Sequence, residues 1–169
     1  MKITLRLDVK LFDAKNIIKW LENDDVTKYL NEDINTTSSL EEIINSNRAD
    51  LLTYYLNKDG RFFLIDNKKN NSIGFVTLFT IIPKKHYEVV IAIGNPSNWG
   101  KKYGFYALKQ IMYEVFFCWR INELSANIHV NNSRSIELFT HLGFKKQAIK
   151  NNHIHFKINF DDYLLSLKQ

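Results

Sequence analysis

Residues 88–117 read EVVIAIGNPSNWGKKYGFYALKQIMYEVFF, and this stretch is the most informative part of the sequence. An apolar strand runs to Ile93, a short turn follows, and an amphipathic helix begins near Gly104. A helix that starts from a glycine-bearing turn has unpaired backbone N–H groups at its positive end. Such groups bind phosphate or pyrophosphate. The stretch therefore predicts an anion site between a strand and a helix.

Length and composition limit the class of protein. With 169 residues, of which 45% are hydrophobic, the chain is expected to form one globular domain over residues 1–169. The single Cys118 excludes an internal disulfide and fits the reducing cytosol, and its aromatic neighbours indicate a cysteine on the core side of a helix. There is no signal peptide and no apolar run of about 18 residues. We therefore expect a cytoplasmic protein without a membrane partner.

The basic charge permits an anionic partner without identifying one. The formal net charge is +5, and the lysines are scattered along the chain. No basic helix or aromatic–basic stripe suggests a nucleic-acid partner. The doublet Lys101–Lys102 differs from the other lysine doublets because it lies where the phosphate would bind.

Alternating patterns predict the order strand, two helices, three strands, helix, strand, helix and two strands. Helices are expected at residues 12–21, 38–44, 104–119 and 133–142, the second capped by Ser38 or Ser39. Strands are expected at residues 3–7, 61–66, 72–82, 87–93, 123–130, 145–149 and 153–160. The predicted class is α+β, a three-layer α/β arrangement with about seven strands in a mixed central sheet and about four helices.

Several common chemistries lack their sequence motifs. There is no Gly-x-Ser-x-Gly elbow, Walker loop or Gly-x-Gly-x-x-Gly fingerprint. His153 and His155 stand two apart on a predicted strand and therefore share a face. No third ligand is near them in the sequence, which favours a polar face lining an acceptor cleft over a metal site. No metal is expected.

Three segments, in this element order, carry a family resemblance. They are residues 20–30 (WLENDDVTKYL), residues 91–94 with 99–104 (IAIG and WGKKYG), and Asn132-x-x-Ser135-Ile136 continuing to Gly143-Phe144. These segments resemble the first helix, the acetyl-CoA motif and the second cofactor motif of the GNAT N-acetyltransferase superfamily. The resemblance is strongest to the Rim-type branch, which contains ribosomal-protein N-terminal acetyltransferases and similar small-amine acetyltransferases. It covers nearly the whole chain.

The resemblance implies acetyl-CoA as cosubstrate and an amine as acceptor. Family members splay two central strands, here residues 88–93 and 124–130, and the acetyl-pantetheine arm lies between them. The backbone of Ile91 and Ile93 would pair with the arm, and the N–H groups of residues 101–105 would hold the pyrophosphate. The implied cofactor-binding residues are Ile91, Ala92, Ile93, Trp99, Gly100, Lys101, Lys102, Tyr103, Gly104, Phe105, Asn132 and Phe139.

The implied reaction is direct attack of a neutral amine on the thioester carbonyl. Glu88 is the candidate base, acting through water, because strand alternation keeps it on one face near the gap. Its other interpretation is a surface carboxylate at a strand end. Phe139 stands where many family members have a proton-donating tyrosine, so Ser135 is the candidate donor to the leaving thiolate. Asn132 would contact the pantetheine amides, although Asn132 and Ser135 also suit a helix cap.

Two departures from the family pattern keep a second hypothesis open. Lys102 replaces the usual glycine and Phe139 the usual tyrosine, which fits a CoA-binding or interaction module with little catalysis. The acceptor stays open among a protein N-terminus, a polyamine, an aminoglycoside and an amino sugar, and a homodimer stays open as well. A group of carboxylates could attract a cationic amine or could simply be a solvated loop. It comprises Glu22, Asp24, Asp25, Glu32 and Asp33.

Overall fold

The computed structural model describes residues 3–30 and 35–168, and a seven-stranded sheet runs through them in the order β1-β2-β3-β4-β5-β7-β6. The strands are β1 Thr4–Arg6, β2 Gly60–Asp66, β3 Ser72–Ile82, β4 His86–Ile93, β5 Glu123–His129, β6 Lys145–Lys150 and β7 His153–Asn159. The helices are α1 Leu11–Leu21, α2 Asp24–Thr27, α3 Thr36–Asn45, α4 Leu52–Leu56, α5 Tyr103–Tyr113, α6 Ser133–His141 and α7 Phe160–Ser166. Neighbouring strands pair antiparallel except β4 and β5, which are parallel.

The mixed sheet and the predicted fold class are confirmed. The described residues form seven α-helices, more than the approximately four that the sequence pattern predicts. The additional helices α2, α4 and α7 have 4, 5 and 7 residues, too few to show a helical period. The predicted cap at Ser38 or Ser39 is wrong because α3 begins earlier, at Thr36, and Ser38 donates to the Asn35 carbonyl. Every helix in the described ranges is too short or too polar to cross a membrane.

Alternate residues of the central strands pack into two separate cores. Phe62 and Leu64 of β2 lie in the core beneath α1, α3 and α4, whereas Phe63 and Ile65 lie in the core beneath α5. Because helices cover both faces of the sheet, β2 is a continuous apolar run rather than an alternating one. The arrangement has three layers, as the sequence predicts.

The helix predicted at residues 104–119 changes its winding near its end. After α5, the segment Glu114–Cys118 forms a π-turn, and the Trp119 N–H donates to the Glu114 carbonyl at 2.8 Å. A π-turn adds a residue to the turn and shifts the following side chains around the helix axis. Cys118 is consequently exposed, which corrects the prediction of a cysteine on the core side.

Gly94, at the carboxyl end of β4, positions the helices on one face of the sheet. The ring of Trp20 lies where any side chain at Gly94 would be. The end of α1 therefore packs directly on the end of β4, and α2 follows it across the neighbouring strands. This contact explains why a tryptophan in the first helical segment accompanies a glycine after the strand.

A buried ion network joins β1, α1 and β2. The Arg6 guanidinium donates to Asp13 at 2.9 Å and to Asp66 at 2.7 Å, and the Ser72 hydroxyl bonds to both carboxylates. Burial by itself would raise the pKa of Asp13, but the hydrogen bonds from Arg6, the Lys10 backbone and Ser72 outweigh burial and lower that pKa. The network therefore depends on ionised carboxylates.

We expect Arg6→Ala to lower the free energy of unfolding by about 3 kcal/mol, because two buried carboxylates lose their cation. Urea unfolding followed by circular dichroism measures this. Because the pKa of Asp13 is depressed in the folded state, the original protein should lose stability as the pH falls below about 4, and Arg6→Ala should flatten that loss.

Arg48→Ala is the matched control, since Arg48 pairs with Asp50 on the surface and both side chains are more than half exposed. Its unfolding midpoint should stay close to that of the original protein. Equal losses in the two variants would contradict a special contribution from the buried network.

Candidate active site

The central feature of the site is a cleft between β4 and β5. The two strands pair at only three positions, of which Glu88–Ser125 is the last. Beyond that pair they diverge. The separation predicted for residues 88–93 and 124–130 therefore begins slightly later than expected, because Glu88, Leu124 and Ser125 are still paired. The cleft encloses about 150 Å³. Pockets for compact ligands usually hold about 300–1,000 Å³, so this narrow slot suits an extended chain.

Backbone groups of β4 face the cleft. The Gly94 N–H donates to the Ile73 carbonyl at 2.9 Å, and hydrogen bonds alternate along an antiparallel ladder. The backbone groups of Ile91 and Ile93 are therefore directed away from β3 and into the cleft, as predicted. The Ile93 carbonyl already accepts a bond from the Trp99 indole N–H at 2.9 Å. The Ile93 N–H and both groups of Ile91 remain for an extended ligand.

The start of α5 forms one end of the cleft. In the described part of the chain, no acceptor is found for the N–H groups of residues 101–105, and the first bonded amide is that of Tyr106, at 3.1 Å from the Lys102 carbonyl. The helix has 11 residues, so its dipole adds positive potential at this end. Unpaired amides therefore lie where the sequence predicts an anion site.

Two residues of this turn have left-handed backbone conformations. Gly100 has φ 75°, and Lys102 has φ 59° with ψ 14°. That conformation costs a residue with a side chain about 1–2 kcal/mol, which explains why glycine is the expected residue at position 102. Lysine retains the N–H group and adds an exposed cation beside the unpaired amides.

The opposite wall of the cleft belongs to α6. Asn132 caps this helix, because its Oδ1 accepts the Ser135 N–H at 3.2 Å. Within the described ranges the half-buried Ser135 hydroxyl has no hydrogen-bond partner. Phe139 is buried and packs edge-on against Phe144, with ring centroids 4.9 Å apart. Asn132, Ser135 and Phe139 all line the cleft.

Trp99 and Arg134 join the two walls of the cleft. The guanidinium carbon of Arg134, on α6, lies 4.0 Å from the centroid of the Trp99 ring, within the range of a cation–π contact. The same ring donates to the end of β4. No sequence pattern indicates the Trp99–Arg134 contact, since the residues belong to different motifs.

Glu88 lies where the pairing of β4 with β5 ends. Its Oε2 accepts a bond from the Asn127 side-chain amide at 2.8 Å, and the other oxygen of Asn127 lies 2.9 Å from His155 Nδ1. His153 and His155 share one face of β7, as predicted, because Ile154 between them is buried in the opposite core. The alternation of side chains along β5 indicates that Asn127 lies on this face. It does not indicate the contact between Asn127 and Glu88.

His86, two residues before Glu88 on β4, is another candidate base near the end of the strand pairing. Its Nε2 lies 2.7 Å from the Ser125 hydroxyl, and its Nδ1 lies 3.4 Å from Glu123. Burial lowers the pKa of His86 although Glu123 opposes that change, so the surroundings favour the neutral imidazole. Both ring nitrogens already have partners, whereas among the described residues Glu88 Oε1 has none.

The short helix α2 and the residues after it cover the cleft. Asp25, Val26, Tyr29 and Leu30 line it from this side. Three carboxylates of the predicted acidic group, Glu22, Asp24 and Asp25, are exposed. The other two, Glu32 and Asp33, lie outside the described residues.

These features define a class of protein. A slot between splayed strands has room for an extended chain, unpaired helix amides at one end suit a phosphate, and a carboxylate lies at the other end. Such an arrangement suits transfer of a group from a phosphate-bearing carrier.

Comparison with known proteins identifies the family. The model of a family described as an acetyltransferase (GNAT) domain matches residues 2–145. The chain therefore belongs to the GNAT acetyltransferases. It is an acyl-CoA-dependent N-acetyltransferase. Uncharacterized N-acetyltransferase p20 of Bacillus licheniformis is 24% identical over 172 residues, which cover 98% of this chain and 92% of that protein.

Solved structures share the fold. A GNAT-family acetyltransferase from Bacillus anthracis aligns with TM-score 0.76 and 14% identity over 95% of this chain and 96% of that chain. A spermidine N-acetyltransferase from Vibrio cholerae, in complex with CoA and spermine, aligns with TM-score 0.75 and 21% identity over 96% of this chain and 98% of that chain. These likenesses support the fold and leave the acceptor open.

Acetyl-CoA, which the family uses, fits the residues present. The unpaired amides of residues 101–105 match a pyrophosphate, and the cleft-facing backbone of Ile91 matches an amide-bearing arm. At Gly100, apart from the glycine and its two chain neighbours, no atom of the described residues lies within 4 Å of the place of a Cβ, so this side of the turn has room for a ligand.

We expect Lys102→Gly to raise the free energy of unfolding by about 1 kcal/mol, because glycine adopts the left-handed conformation without steric cost. Lys102→Ala keeps that cost and should give no increase. Both variants lose one cation, so both should bind CoA with a weaker salt dependence. Urea unfolding and calorimetric titration with CoA measure the two effects. Equal stabilities of the glycine and alanine variants would show that position 102 is not strained.

Proposed function

We propose that this protein acetylates a small primary amine, with Glu88 as the base and Ser135 as the proton donor to the leaving thiolate. The observation that carries the proposal is the position of Glu88 at the last paired rung of β4 and β5. There its Oε2 is held by Asn127, and its Oε1 has no partner among the described residues. An amine or a water that enters beside the cleft would meet this oxygen.

The cosubstrate would be bound mainly by main-chain groups. The amides of residues 101–105 would hold the pyrophosphate, with the exposed cations of Lys101 and Lys102 nearby. Ile91 and the Ile93 N–H would pair with the pantetheine amides. The remaining residues proposed to shape the site are Ala92, Trp99, Gly100, Tyr103, Gly104, Phe105, Asn132 and Phe139.

The reaction forms one bond and breaks one. The neutral amine nitrogen attacks the thioester carbonyl carbon, a C–N bond forms, and the C–S bond breaks. The proton lost by the nitrogen passes through water to Glu88, and the departing sulfur receives a proton from the Ser135 hydroxyl. Solvent then returns a proton to Ser135 and removes one from Glu88. The products are the acetylated amine and CoA with a free thiol.

Polyamines are the first acceptors to test. The exposed Asp24 and Asp25 supply negative charge beside the cleft, and a structural neighbour is a spermidine N-acetyltransferase. A protein N-terminus, as in the Rim-type branch, is the second acceptor class.

We also propose that residues 1–169 act as one domain, since the sheet joins strands from both halves of the chain. The exposed thiol of Cys118 supports a reducing, cytoplasmic location.

The first test is CoA thiol release from acetyl-CoA with a panel of spermidine, N-terminal peptides, aminoglycosides and glucosamine. We expect turnover with at least one amine and about a 100-fold lower kcat in Glu88→Gln, with unchanged acetyl-CoA affinity by calorimetry. Glu137→Gln, on the exposed surface of α6, is the control and should keep full activity. Tight acetyl-CoA binding without turnover of any amine would favour a binding module instead.

A second test removes the hydroxyl of Ser135. We expect Ser135→Ala to lower kcat about 10- to 100-fold, because the sulfur loses its proton donor. The cap of α6 uses the backbone N–H of Ser135, so thermal stability should not change. An unchanged kcat in a folded Ser135→Ala variant would assign the proton to another source.

A further inference from the structure

Side chains continue the link between strands where the backbone ladder stops. Backbone pairing of β4 with β5 ends at Glu88–Ser125. Two residues further along β5, Asn127 donates to Glu88 at 2.8 Å, and Asn127 in turn contacts His155 on β7 at 2.9 Å. One chain of hydrogen bonds therefore joins three strands at the end of the cleft where β4 and β5 cease to pair.

The chemistry of the groups determines which atoms donate and which accept in this chain of hydrogen bonds. An ionised carboxylate only accepts hydrogen bonds, so the nitrogen of the Asn127 amide faces Glu88 and its oxygen faces His155. His155 must then donate from Nδ1–H, which selects one tautomer of a neutral ring. The imidazole thus sets the orientation of the amide, and the amide sets the orientation of the carboxylate.

His155, at the outer end of this chain of hydrogen bonds, has a backbone that is held in place by packing. His155 lies directly opposite Asn127 in the antiparallel register of β5 and β7. Its neighbours Ile154 and Phe156 are buried in the core beneath α5, which fixes the backbone on both sides of the imidazole. A ring anchored in this way can hold the amide against rotation.

We propose that Asn127 and His155 are positioning residues for Glu88. They hold Oε2 so that Oε1 faces the incoming amine or the water that carries its proton. Neither residue exchanges a proton with the substrate, because a carboxamide separates the imidazole from the carboxylate. This inference rests on the proposed role of Glu88 as the base.

The test compares Asn127→Leu, His155→Leu and His155→Asn, assayed by CoA thiol release with the most active amine of the panel. Both leucine variants should lower kcat about tenfold, while the KM for acetyl-CoA and its calorimetric affinity stay unchanged. His155→Asn should recover most of the activity, because an asparagine Nδ2, like imidazole Nδ1, is bonded to Cγ and can donate in the same place. A structural role alone would not produce this split between kcat and KM or this rescue.

Two further comparisons separate the possible failures. The double variant Asn127→Leu/His155→Leu should be no slower than Asn127→Leu, since both changes break one chain. Additive losses, or full kcat in folded leucine variants, would overturn the inference. If Asn127→Leu does not fold, His155→Leu and His155→Asn test the same chain from β7. Full activity of Glu88→Gln would instead refute the proposed base, and an inactive Glu88→Gln beside fully active leucine variants would refute only the positioning role.

Discussion

The site depends on one interruption of the sheet, the end of pairing between β4 and β5 after Glu88 and Ser125. Backbone groups that leave a ladder need other partners, and an extended ligand with amide groups can supply them. The walls stay in place because each strand remains paired on its other side, β4 with β3 and β5 with β7. The cleft is thus a gap between two strands that lack hydrogen bonds to each other there, while each strand is held in place by its other neighbour.

The two ends of this interruption carry opposite electrostatic character. At the carboxyl end of β4, unpaired amides and the dipole of α5 favour an anion, and the exposed Lys102 adds a cation. At the other end, Glu88 supplies a carboxylate held by a side-chain amide. In the proposed complex, a phosphate-bearing carrier along β4 would therefore be oriented by charge, with its reactive end toward the carboxylate.

The helices, strands and turns that could be predicted are those with a pattern in a short, contiguous stretch of sequence. The strands and α5 have clear periods, and the strand–turn–helix segment around Gly100 lies in one contiguous stretch. The short helices α2, α4 and α7 could not be predicted, since so few residues form a helix only with tertiary packing. The orientation of Cys118 was mispredicted because a π-turn replaces the last α-helical turn. The capping bond of Asn132 agrees with one of its two sequence interpretations.

The family, the turn predicted to bind an anion and the candidate residues on that turn could be identified from the sequence alone, because contiguous motifs carry them. The folded structure was needed to show that β4 and β5 pair as far as Glu88 and Ser125, and to show which groups surround Glu88. Asn127 contacts that carboxylate from a strand 39 residues further along the chain, and His155 contacts Asn127 from 28 residues beyond it. Their meeting depends on strand order and register, which are set by packing between distant segments and leave no local pattern.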